Sequence, residues 1–309
     1  MKRSLALLLC VGLLAGCSQF LFYPHPSLIR TPADVGLEYR DIQFASQDGT
    51  QLHGWMLPAT TQPATATVLF MHGNAENIST HLGSVYWLPE QGFNLFLFDY
   101  RGYGESAGEP SLVGVHEDAA RAVEVALSEP SLNDVPLVIF GQSLGGAIAI
   151  STTANSEHRQ RIKGLIVESS FSSYQAVTRE ALSHFWLTWP LQWPLSLTIS
   201  DAYHPGRAIE RINGIPVLVV HGDQDPVVAQ HHSETLYRQA NEPKQLWRIV
   251  GGQHIDTFNA VENRERLVDY LNGLVKEPLI NCHCEKRSDE AISSLDDSYR
   301  VEIAALRSQ

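Results

Sequence analysis

Ser143 stands in a sequence context that could turn its hydroxyl into a nucleophile. It is the central residue of a Gly-Gln-Ser-Leu-Gly pentapeptide, residues 141–145. The apolar run Val135–Phe140 precedes it and is typical of a buried strand, and the helical pattern Leu144–Asn155 follows. A G-x-S-x-G segment between strand and helix makes a sharp turn that presents the serine oxygen beside the free N–H groups of the helix. The pattern predicts that Ser143 is a nucleophile.

A serine hydroxyl is a weak nucleophile at neutral pH and needs a neighbouring base. Of the 13 histidines, His254 has the most suitable context. It follows the predicted strand Gln245–Val250 through a Gly-Gly-Gln loop, and a helical pattern comes after it. Sites in open α/β sheets form at the carboxyl ends of the strands. We therefore expect the imidazole of His254 to reach Ser143 at that edge.

The base in turn needs a carboxylate that fixes its tautomer and stabilises the imidazolium. Asp223 and Asp225 both follow the predicted strand Ile215–His221. We expect Asp225 to be this acid because it lies deeper in the turn, before a proline. Asp223 is the reserve candidate, with turn capping as its alternative role. Glu168, at the end of another predicted strand, is the third candidate.

The composition argues against several other kinds of chemistry. The 309-residue chain has 22 basic and 34 acidic residues, a net charge of −12, and no basic stripe of the kind that nucleic acids need. Its four cysteines are Cys10, Cys17, Cys282 and Cys284, so no disulfide framework holds the central region. The Cys-His-Cys tripeptide at 282–284 lacks a fourth ligand. We predict neither a metal site nor a cofactor.

The elements that must position these residues alternate along the chain. Runs rich in β-branched and aromatic residues predict eight strands. They are Glu38–Ala45, Gln51–Leu57, Ala66–Met71, Phe93–Asp99, Val135–Phe140, Lys163–Glu168, Ile215–His221 and Gln245–Val250. Helical patterns lie between them at Ile78–Glu90, Leu112–Leu127, Leu144–Asn155, Ala229–Ala240 and Val261–Val275. This alternation predicts an α/β protein with a mostly parallel eight-stranded sheet and helices on both faces.

Two regions interrupt the alternation. Residues 169–205 hold three of the six tryptophans within eight residues and are predicted to form a short helical cap inserted into the domain. Four aromatic residues give this cap an apolar surface: Phe185, Trp186, Trp189 and Trp193. We interpret them as a substrate pocket, with a membrane-contact patch and ordinary packing as alternatives. Residues 277–309 follow the last required helix and are predicted to be a C-terminal appendage.

The N-terminus resembles a bacterial lipoprotein signal. A basic start and an apolar run, residues 5–14, lead into Leu-Ala-Gly-Cys, which resembles a lipobox ending at Cys17. The resemblance implies a signal peptide over residues 1–16 and lipidation of the Cys17 thiol. Residues 17–37 would then form the tether. By analogy, Ser18 favours the outer membrane, so the expected location is the periplasmic side of a bacterial cell envelope.

The aromatic run Phe20–Tyr23 lies within this tether and has two interpretations. It could rest at the lipid interface, or it could pack on the folded domain. Three prolines between residues 24 and 32 argue against a helix in this region.

Five segments at predicted strand ends resemble the signatures of one known superfamily. They are His72–Ala75 (HGNA), Asp99–Ser106 (DYRGYGES), Gly141–Gly145 (GQSLG), His221–Asp225 (HGDQD) and Gly251–His254 (GGQH). Together and in this order they are similar to the motifs of the α/β-hydrolases, whose triads run serine, acid, histidine along the chain. The resemblance implies an α/β-hydrolase domain over residues 38–276 and favours Asp225 as the acid.

The same resemblance implies an oxyanion hole, formed by backbone N–H groups that stabilise a developing negative charge. The N–H of Leu144, directly after the nucleophile, would be one donor, and the N–H of Asn74 would be the other. His72 is expected to brace its loop. Arg101 is expected to brace its turn as well, with binding of an anionic substrate group as the alternative.

The sequence therefore predicts a serine hydrolase that transfers an acyl group to water through an acyl-enzyme. The HGNA segment is similar to that of compact, often membrane-associated members that act on acyl esters or thioesters, including those of lysophospholipids and palmitoylated proteins. The expected partners are a small acyl ester or lipid-like substrate and a membrane, reached through the anchor on Cys17. Two alternatives stay open: an amidase or peptidase with the same triad, and a catalytically idle binding lipoprotein.

Overall fold

A computed structural model describes residues 21–129, 132, 135–184 and 186–276 of the chain. Ten strands occur in this part of the chain. They are β1 (Tyr23–Pro24), β2 (Arg40–Ala45), β3 (Gln51–Leu57), β4 (Ala66–Met71), β5 (Ala75–Glu76), β6 (Phe93–Phe98), β7 (Leu137–Gln142), β8 (Ile162–Glu168), β9 (Val217–Gly222) and β10 (Lys244–Ile249).

Helices connect most of the strands. The α-helices are α1 (Ile78–His81), α2 (Leu112–Ser128), α3 (Leu144–Asn155), α4 (Tyr174–Ser183), α5 (Gln192–Ser196), α6 (Pro205–Ile209), α7 (His231–Gln239) and α8 (Val261–Lys276). Short 3-10 turns cover Pro32–Val35, Leu82–Ser84, Pro89–Gln91, Arg159–Arg161, Trp189–Leu191 and Thr257–Asn259. Helices α4 and α5 belong to the region predicted to be a cap.

Eight of the strands form one sheet in the order β10-β9-β8-β7-β4-β6-β3-β2. Strands β4 and β6 to β10 pair with one another in parallel. Strand β3 is antiparallel to both of its neighbours, and its pairing with β2 matches Ala45 to Gln51 across the predicted hairpin turn. The predicted fold class, a mostly parallel eight-stranded sheet with helices on both faces, is confirmed.

The two faces of the sheet hold separate apolar clusters, as the alternation of side chains along a strand requires. On β7, Leu137 and Ile139 join the cluster that includes buried residues of α2 and α3. Val138 and Phe140 join the opposite cluster, which includes buried residues of α8. Full burial of a side chain of this size stabilises the fold by about 1.5–3 kcal/mol. Burial on both faces explains the continuous apolar runs in the sequence.

Two elements differ from their predictions. The helix predicted over Ile78–Glu90 is a single helical turn, α1, followed by 3-10 turns. Gly83 weakens a helix at this position, and Pro89 lacks the N–H that a continuous helix would use. Strand β7 continues to Gln142, beyond its predicted end at Phe140, because its last residues pair with the end of β8.

Residues 21–37, predicted to belong to a tether, lie against the domain. Phe22 is only 5% exposed and belongs to the cluster on the α2 and α3 face, whereas Tyr23 is exposed. Strand β1 pairs in parallel with β5. Of the two interpretations of the aromatic run, the structure therefore shows packing on the domain at Phe22.

Several predictions concern residues that the structure does not describe. The signal peptide, Cys17, Phe185 and residues 277–309 lie outside the described residues. Within the described ones, no helix has both the length and the apolar character needed to cross a membrane.

Candidate active site

Ser143 occupies the sharp turn between β7 and α3. Its φ of 53° and ψ of −117° are rare for a residue with a side chain, and such a conformation costs about 1–3 kcal/mol. Neighbouring segments hold it in place, since its N–H donates to the Glu168 carbonyl at 2.8 Å and its own carbonyl accepts from the Ser170 hydroxyl at 2.8 Å. A Cβ on Gly145 would collide with the carbonyl oxygen of Met71. The turn therefore requires glycine at position 145.

The structure brings Ser143, His254 and Asp225 into one hydrogen-bonded chain. The His254 Nε2 lies 3.1 Å from the Ser143 Oγ, and the His254 Nδ1 lies 2.8 Å from the Asp225 Oδ2. The two contacts span 111 and 29 residues of sequence. A carboxylate only accepts hydrogen bonds. Nδ1–H must therefore donate to Asp225, which leaves the Nε2 lone pair to accept the serine proton.

Asp225 is held as a carboxylate by its surroundings. Burial raises its pKa, but hydrogen bonds from His254 and from the N–H groups of Val227 and Val228 more than offset this and leave the pKa below its usual value. The two backbone N–H groups donate to Oδ1 at 2.8 and 3.0 Å, so Oδ2 is left to face His254. Burial and the backbone together fix both the charge and the rotamer of this acid.

The other two candidates for the acid, Asp223 and Glu168, form hydrogen bonds with other groups. The exposed Asp223 accepts a hydrogen bond from the Gly251 N–H at 2.7 Å and so ties the β9 turn to the loop after β10. Glu168 is fully buried and accepts from the Gln142 amide at 2.6 Å and from the Thr257 N–H at 3.1 Å. Burial raises the pKa of Glu168. Neither side chain hydrogen-bonds to His254 in the structure.

Leu144 and Asn74, whose N–H groups are the predicted oxyanion donors, line the same cavity as Ser143. Leu144 is the first residue of α3, where N–H groups have no partner inside the helix. Asn74 follows Gly73 in the loop after β4, and both residues line a cavity together with Ser143. The His72 Nδ1 contacts the Gly73 carbonyl oxygen at 2.7 Å. Because a trans peptide points its C=O and N–H in opposite directions, this contact orients the Asn74 N–H away from His72.

A buried polar cluster lies beneath this loop. Burial holds the pKa of His72 well below its usual range and raises the pKa of Asp99 to about 8. The Asp99 Oδ1 accepts from the Ile78 N–H at 2.9 Å. The Tyr103 hydroxyl donates to the Asn74 carbonyl at 2.9 Å. Neutral groups therefore support the loop, and His72 braces it as predicted from the resemblance.

A cavity of about 810 Å³ opens at the Ser143 hydroxyl. This volume lies within the range of sites for small organic ligands. Its walls are mostly apolar and come from the cap, from the loop after β4 and from the N-terminal segment. The lining includes Leu21, Tyr23, Phe171, Tyr174, Val177, Ala181, Leu195 and Ile199. Among the described residues that line it, none is Asp, Glu, Lys or Arg.

The cap tryptophans do not line this cavity, which differs from the predicted pocket. Trp186 is 79% exposed, and Trp189 and Trp193 are each 60% exposed. The Arg179 guanidinium lies over the Trp193 ring, 4.2 Å from its centre. The cap instead turns smaller apolar side chains of α4 and α5 towards the cavity. The spacing of the aromatic residues revealed the cap but not which of its faces points inward.

Arg101 braces the body of the domain and lies outside the cavity. It is only 8% exposed, and its guanidinium donates to both oxygens of Asp118 and to Asp48. These bonds raise the pKa of Arg101 further above its usual value. Of the two roles considered for Arg101, the structure shows the bracing role.

One group of potential metal ligands occurs among the described residues: Glu180, His231 and His232. The His232 Nδ1 accepts a hydrogen bond from the Ser172 N–H at 3.2 Å. A neutral imidazole therefore carries its proton on Nε2, which donates to Glu180 at 3.2 Å. This protonated nitrogen is not a metal ligand, so the group is better described as a hydrogen-bonded link between α4 and α7.

Comparisons with known proteins agree with this fold. Residues 62–212 match the family described as serine aminopeptidase, S33. The chain is 36% identical over 268 residues to YfhR of Escherichia coli K12, a match that covers 85% of this chain and 90% of that protein. It is 32% identical over 238 residues to the α/β-hydrolase domain-containing protein WAV2 of Arabidopsis thaliana, covering 74% and 76% of the two chains.

Among solved structures, the esterase Pf2001 of Pyrococcus furiosus has a similar fold. Its TM-score is 0.66 at 20% identity, and the match covers 83% of this chain and 97% of that one. The fold and the relatives define an α/β hydrolase. The chain belongs to the α/β-hydrolase family that includes YfhR and WAV2.

Proposed function

We propose that this protein is a serine hydrolase that cleaves acyl esters or thioesters, with Ser143 as nucleophile, His254 as base and Asp225 as acid. The observation that carries the proposal is the hydrogen-bonded chain of these three side chains, of which Ser143 and His254 line an apolar cavity. The intact hydrogen-bonded chain argues against a catalytically idle binding protein, because an idle chain has no need to hold an acid, a base and an alcohol in this order.

In the proposed reaction, Ser143 Oγ attacks the acyl carbonyl while His254 Nε2 takes the hydroxyl proton. The tetrahedral oxyanion that forms accepts hydrogen bonds from the N–H groups of Leu144 and Asn74. His254 then gives the proton to the leaving alcohol or thiol, and an acyl-enzyme remains. Water repeats the sequence: it loses a proton to His254, attacks the acyl carbon, and releases the acid and the free Ser143. These steps need only the residues named here.

The cavity favours an acyl substrate over a peptide N-terminus. An aminopeptidase has to recognise a substrate ammonium group, and a buried ammonium needs a carboxylate partner. None of the described lining residues is acidic, and most of the lining side chains are apolar. A neutral hydrocarbon chain fits this surface because its burial is favourable at every apolar contact. Ester and thioester cleavage is therefore the activity that we propose.

The test of the reaction compares the wild type with Ser143→Ala. We expect fluorophosphonate labelling of the wild type only, and a loss of about 10⁴-fold or more in ester hydrolysis by the variant. A panel of p-nitrophenyl esters, matching thioesters and aminoacyl p-nitroanilides then separates the substrate classes. Equal labelling of the two proteins would remove Ser143 from the reaction. Faster cleavage of the anilides than of the esters would favour a peptidase.

We also propose that the protein is a lipoprotein anchored through Cys17 to a bacterial envelope membrane. Leu21 lines the cavity, and it follows Cys17 by four residues, a chain length of at most about 14 Å. In α5, Leu195 lines the cavity while Trp193 is exposed, so the apolar outer face of the cap adjoins the site. Tryptophan is enriched where proteins meet the lipid interface. Anchor and cap would together place the cavity near membrane lipids.

Two variants test the membrane proposal. Cys17→Ser should move the protein from the membrane to the soluble fraction and leave its hydrolysis of a soluble short-chain ester unchanged. Trp189→Ser should lower its rate on lipid vesicles roughly tenfold, because one large apolar contact with the membrane is lost. A Cys17→Ser protein that stays on the membrane would contradict the lipid anchor. A Trp189→Ser protein with an unchanged rate on vesicles would contradict the contact through the cap.

A further inference from the structure

Residues 21–29, which we call the N-terminal strap, lie along the loop that carries Asn74. The strap contributes Leu21 and Tyr23 to the wall of the cavity. The Tyr23 N–H donates to the Asn74 Oδ1 at 3.3 Å, and β1 pairs with β5 directly after Asn74. The strap is therefore in contact with the residue whose N–H is the second oxyanion donor in our proposed function.

Asn77 fastens the strap to the domain. Its side-chain amide donates to the carbonyl oxygens of His25 at 2.9 Å and of Ser27 at 2.8 Å. Its Oδ1 accepts from the Ser79 N–H at 2.9 Å, which caps α1. The side chain is 1% exposed. One buried amide thus joins two strap carbonyls to the end of the loop that begins at His72.

Further hydrogen bonds extend the attachment on either side of Asn77. The His25 N–H donates to the Glu76 carbonyl at 3.1 Å, and the Gly104 N–H donates to the His25 carbonyl at 3.1 Å. The Ile29 N–H donates to the Ser79 Oγ at 2.9 Å. The strap is therefore held along its length by the two loops that follow β4 and β6.

The loop under the strap has a backbone conformation that needs such support. Glu76 has a φ of 66°, in the left-handed region that residues with side chains rarely adopt. A strained residue of this kind persists only where its surroundings determine its conformation. The carbonyl of Glu76 is the group that accepts the His25 N–H. Release of the strap would free Glu76 to relax, and Asn74 lies two residues before it.

We propose that the N-terminal strap is a positioning element of the active site, with Asn77 as the residue that fastens it. In the docked state the strap holds the Asn74 loop so that its N–H faces the reacting oxygen, and it closes one wall of the cavity. Loss of the strap contacts leaves Ser143, His254 and Asp225 in place but misplaces an oxyanion donor. This inference rests on the proposed function.

The test uses Asn77→Ser in the full chain. A serine hydroxyl still caps α1, because serine is as good an N-cap as asparagine, but the two donors to the strap are lost. We expect kcat per titrated active site to fall roughly ten- to a hundredfold, somewhat less than the loss of a whole oxyanion donor. KM for a short-chain ester should stay within about threefold, since such an ester contacts little of the strap wall. Hydrogen exchange should show faster exchange of the His25 and Ile29 amides.

Ser111→Ala is the matched control. It removes the N-cap of α2, where Ser111 accepts from the Gly114 N–H, and lowers stability without touching the strap. Its kcat per active site should equal that of the wild type. Ser79→Ala is the second strap variant, because it removes the acceptor of the Ile29 N–H. Ser79→Ala should also lower kcat, so it tests the proposal even if Asn77→Ser folds poorly.

Wild-type kcat in both strap variants would overturn the proposal, whether or not the His25 and Ile29 amides exchange faster. A fall in kcat that the Ser111→Ala control shares would also overturn it, because general destabilisation would then be the cause. Failure of the proposed function gives a different result. In that case wild type and Ser143→Ala would hydrolyse the ester equally, whatever the strap variants do.

Discussion

Replacement of Asp225 by asparagine should reverse the direction of the hydrogen bonds around His254. In the structure, the Asp225 Oδ1 accepts from two backbone N–H groups, those of Val227 and Val228. An asparagine side chain would keep its carbonyl oxygen at this position, because an amide nitrogen cannot accept from an N–H. Its NH₂ group would then stand where Oδ2 now faces the His254 Nδ1, 2.8 Å away.

The consequence for the base follows from its two nitrogen atoms. An amide N–H directed at Nδ1 makes that atom an acceptor, so a neutral His254 must carry its proton on Nε2. Nε2 lies 3.1 Å from the Ser143 Oγ, and once protonated it can no longer accept the serine proton. A change of tautomer in an otherwise intact triad costs about 10⁴ in kcat. We expect a loss of that order for Asp225→Asn.

The assay measures kcat on a short p-nitrophenyl ester at neutral pH, normalised by active-site titration. Asp223→Asn is the control, because Asp223 is exposed and accepts only from the Gly251 N–H among the described contacts. Its kcat should stay within about threefold of the wild type, as expected for a surface substitution. The reasoning would be refuted if Asp225→Asn kept a tenth of the wild-type rate, or if Asp223→Asn lost more activity than Asp225→Asn.

Two further predictions concern the buried acid and the cavity. Burial raises the pKa of Asp99 to about 8, so the folded protein keeps a proton that the unfolded chain loses near its ordinary value of 3.8. This proton contributes its full share to the free energy of unfolding below about pH 4. That share, on the order of 5 kcal/mol, is lost progressively as pH rises from about 4 to the folded-state pKa of about 8. Asp99→Asn should lack this loss in urea unfolding measured from about pH 5 to about pH 9, and parallel curves would contradict the prediction. Ala181→Phe narrows the cavity from α4. It should lower kcat/KM for a palmitoyl ester about tenfold and leave the acetyl ester within about threefold, whereas equal effects on both esters would exclude the cavity as the acyl site.

Sequence patterns indicated the three residues of the proposed triad because each lies in the turn after the carboxyl end of a predicted strand. Ser143, Asp225 and His254 come after β7, β9 and β10. Strands β7 and β9 are buried throughout, whereas β10 is partly exposed and buries only Trp247. The carboxyl ends of parallel strands meet at one edge of a sheet. Local context therefore carried enough information to predict that these residues converge. The choice between Asp223 and Asp225 was harder, because the orientation of two side chains in one turn depends on backbone hydrogen bonds that no periodicity reports.

The cavity walls could not be predicted in the same way. The tryptophans indicated a cap, but the helices of the cap are too short to show a clear helical period. Nothing in the sequence therefore distinguishes Trp189, which is exposed, from Leu195, which lines the cavity. The sequence also did not predict that Leu21 lines the cavity. Its only signal was the aromatic and apolar run around Phe22, which is equally consistent with lipid contact. Packing of distant segments, rather than local propensity, decides these positions.

The site thus combines parts with different structural origins. The proposed nucleophile, acid and base lie in the turns after strands of one sheet, so their spacing follows from the 4.7–4.9 Å separation of neighbouring strands and from those turns. The wall of the proposed acyl site comes from the cap and the N-terminal strap, which the sheet does not constrain. Changes in Ala181 or Leu21 should therefore alter which acyl chain is accepted. Changes at the sheet edge, such as Asp225→Asn, should lower the rate for every substrate alike.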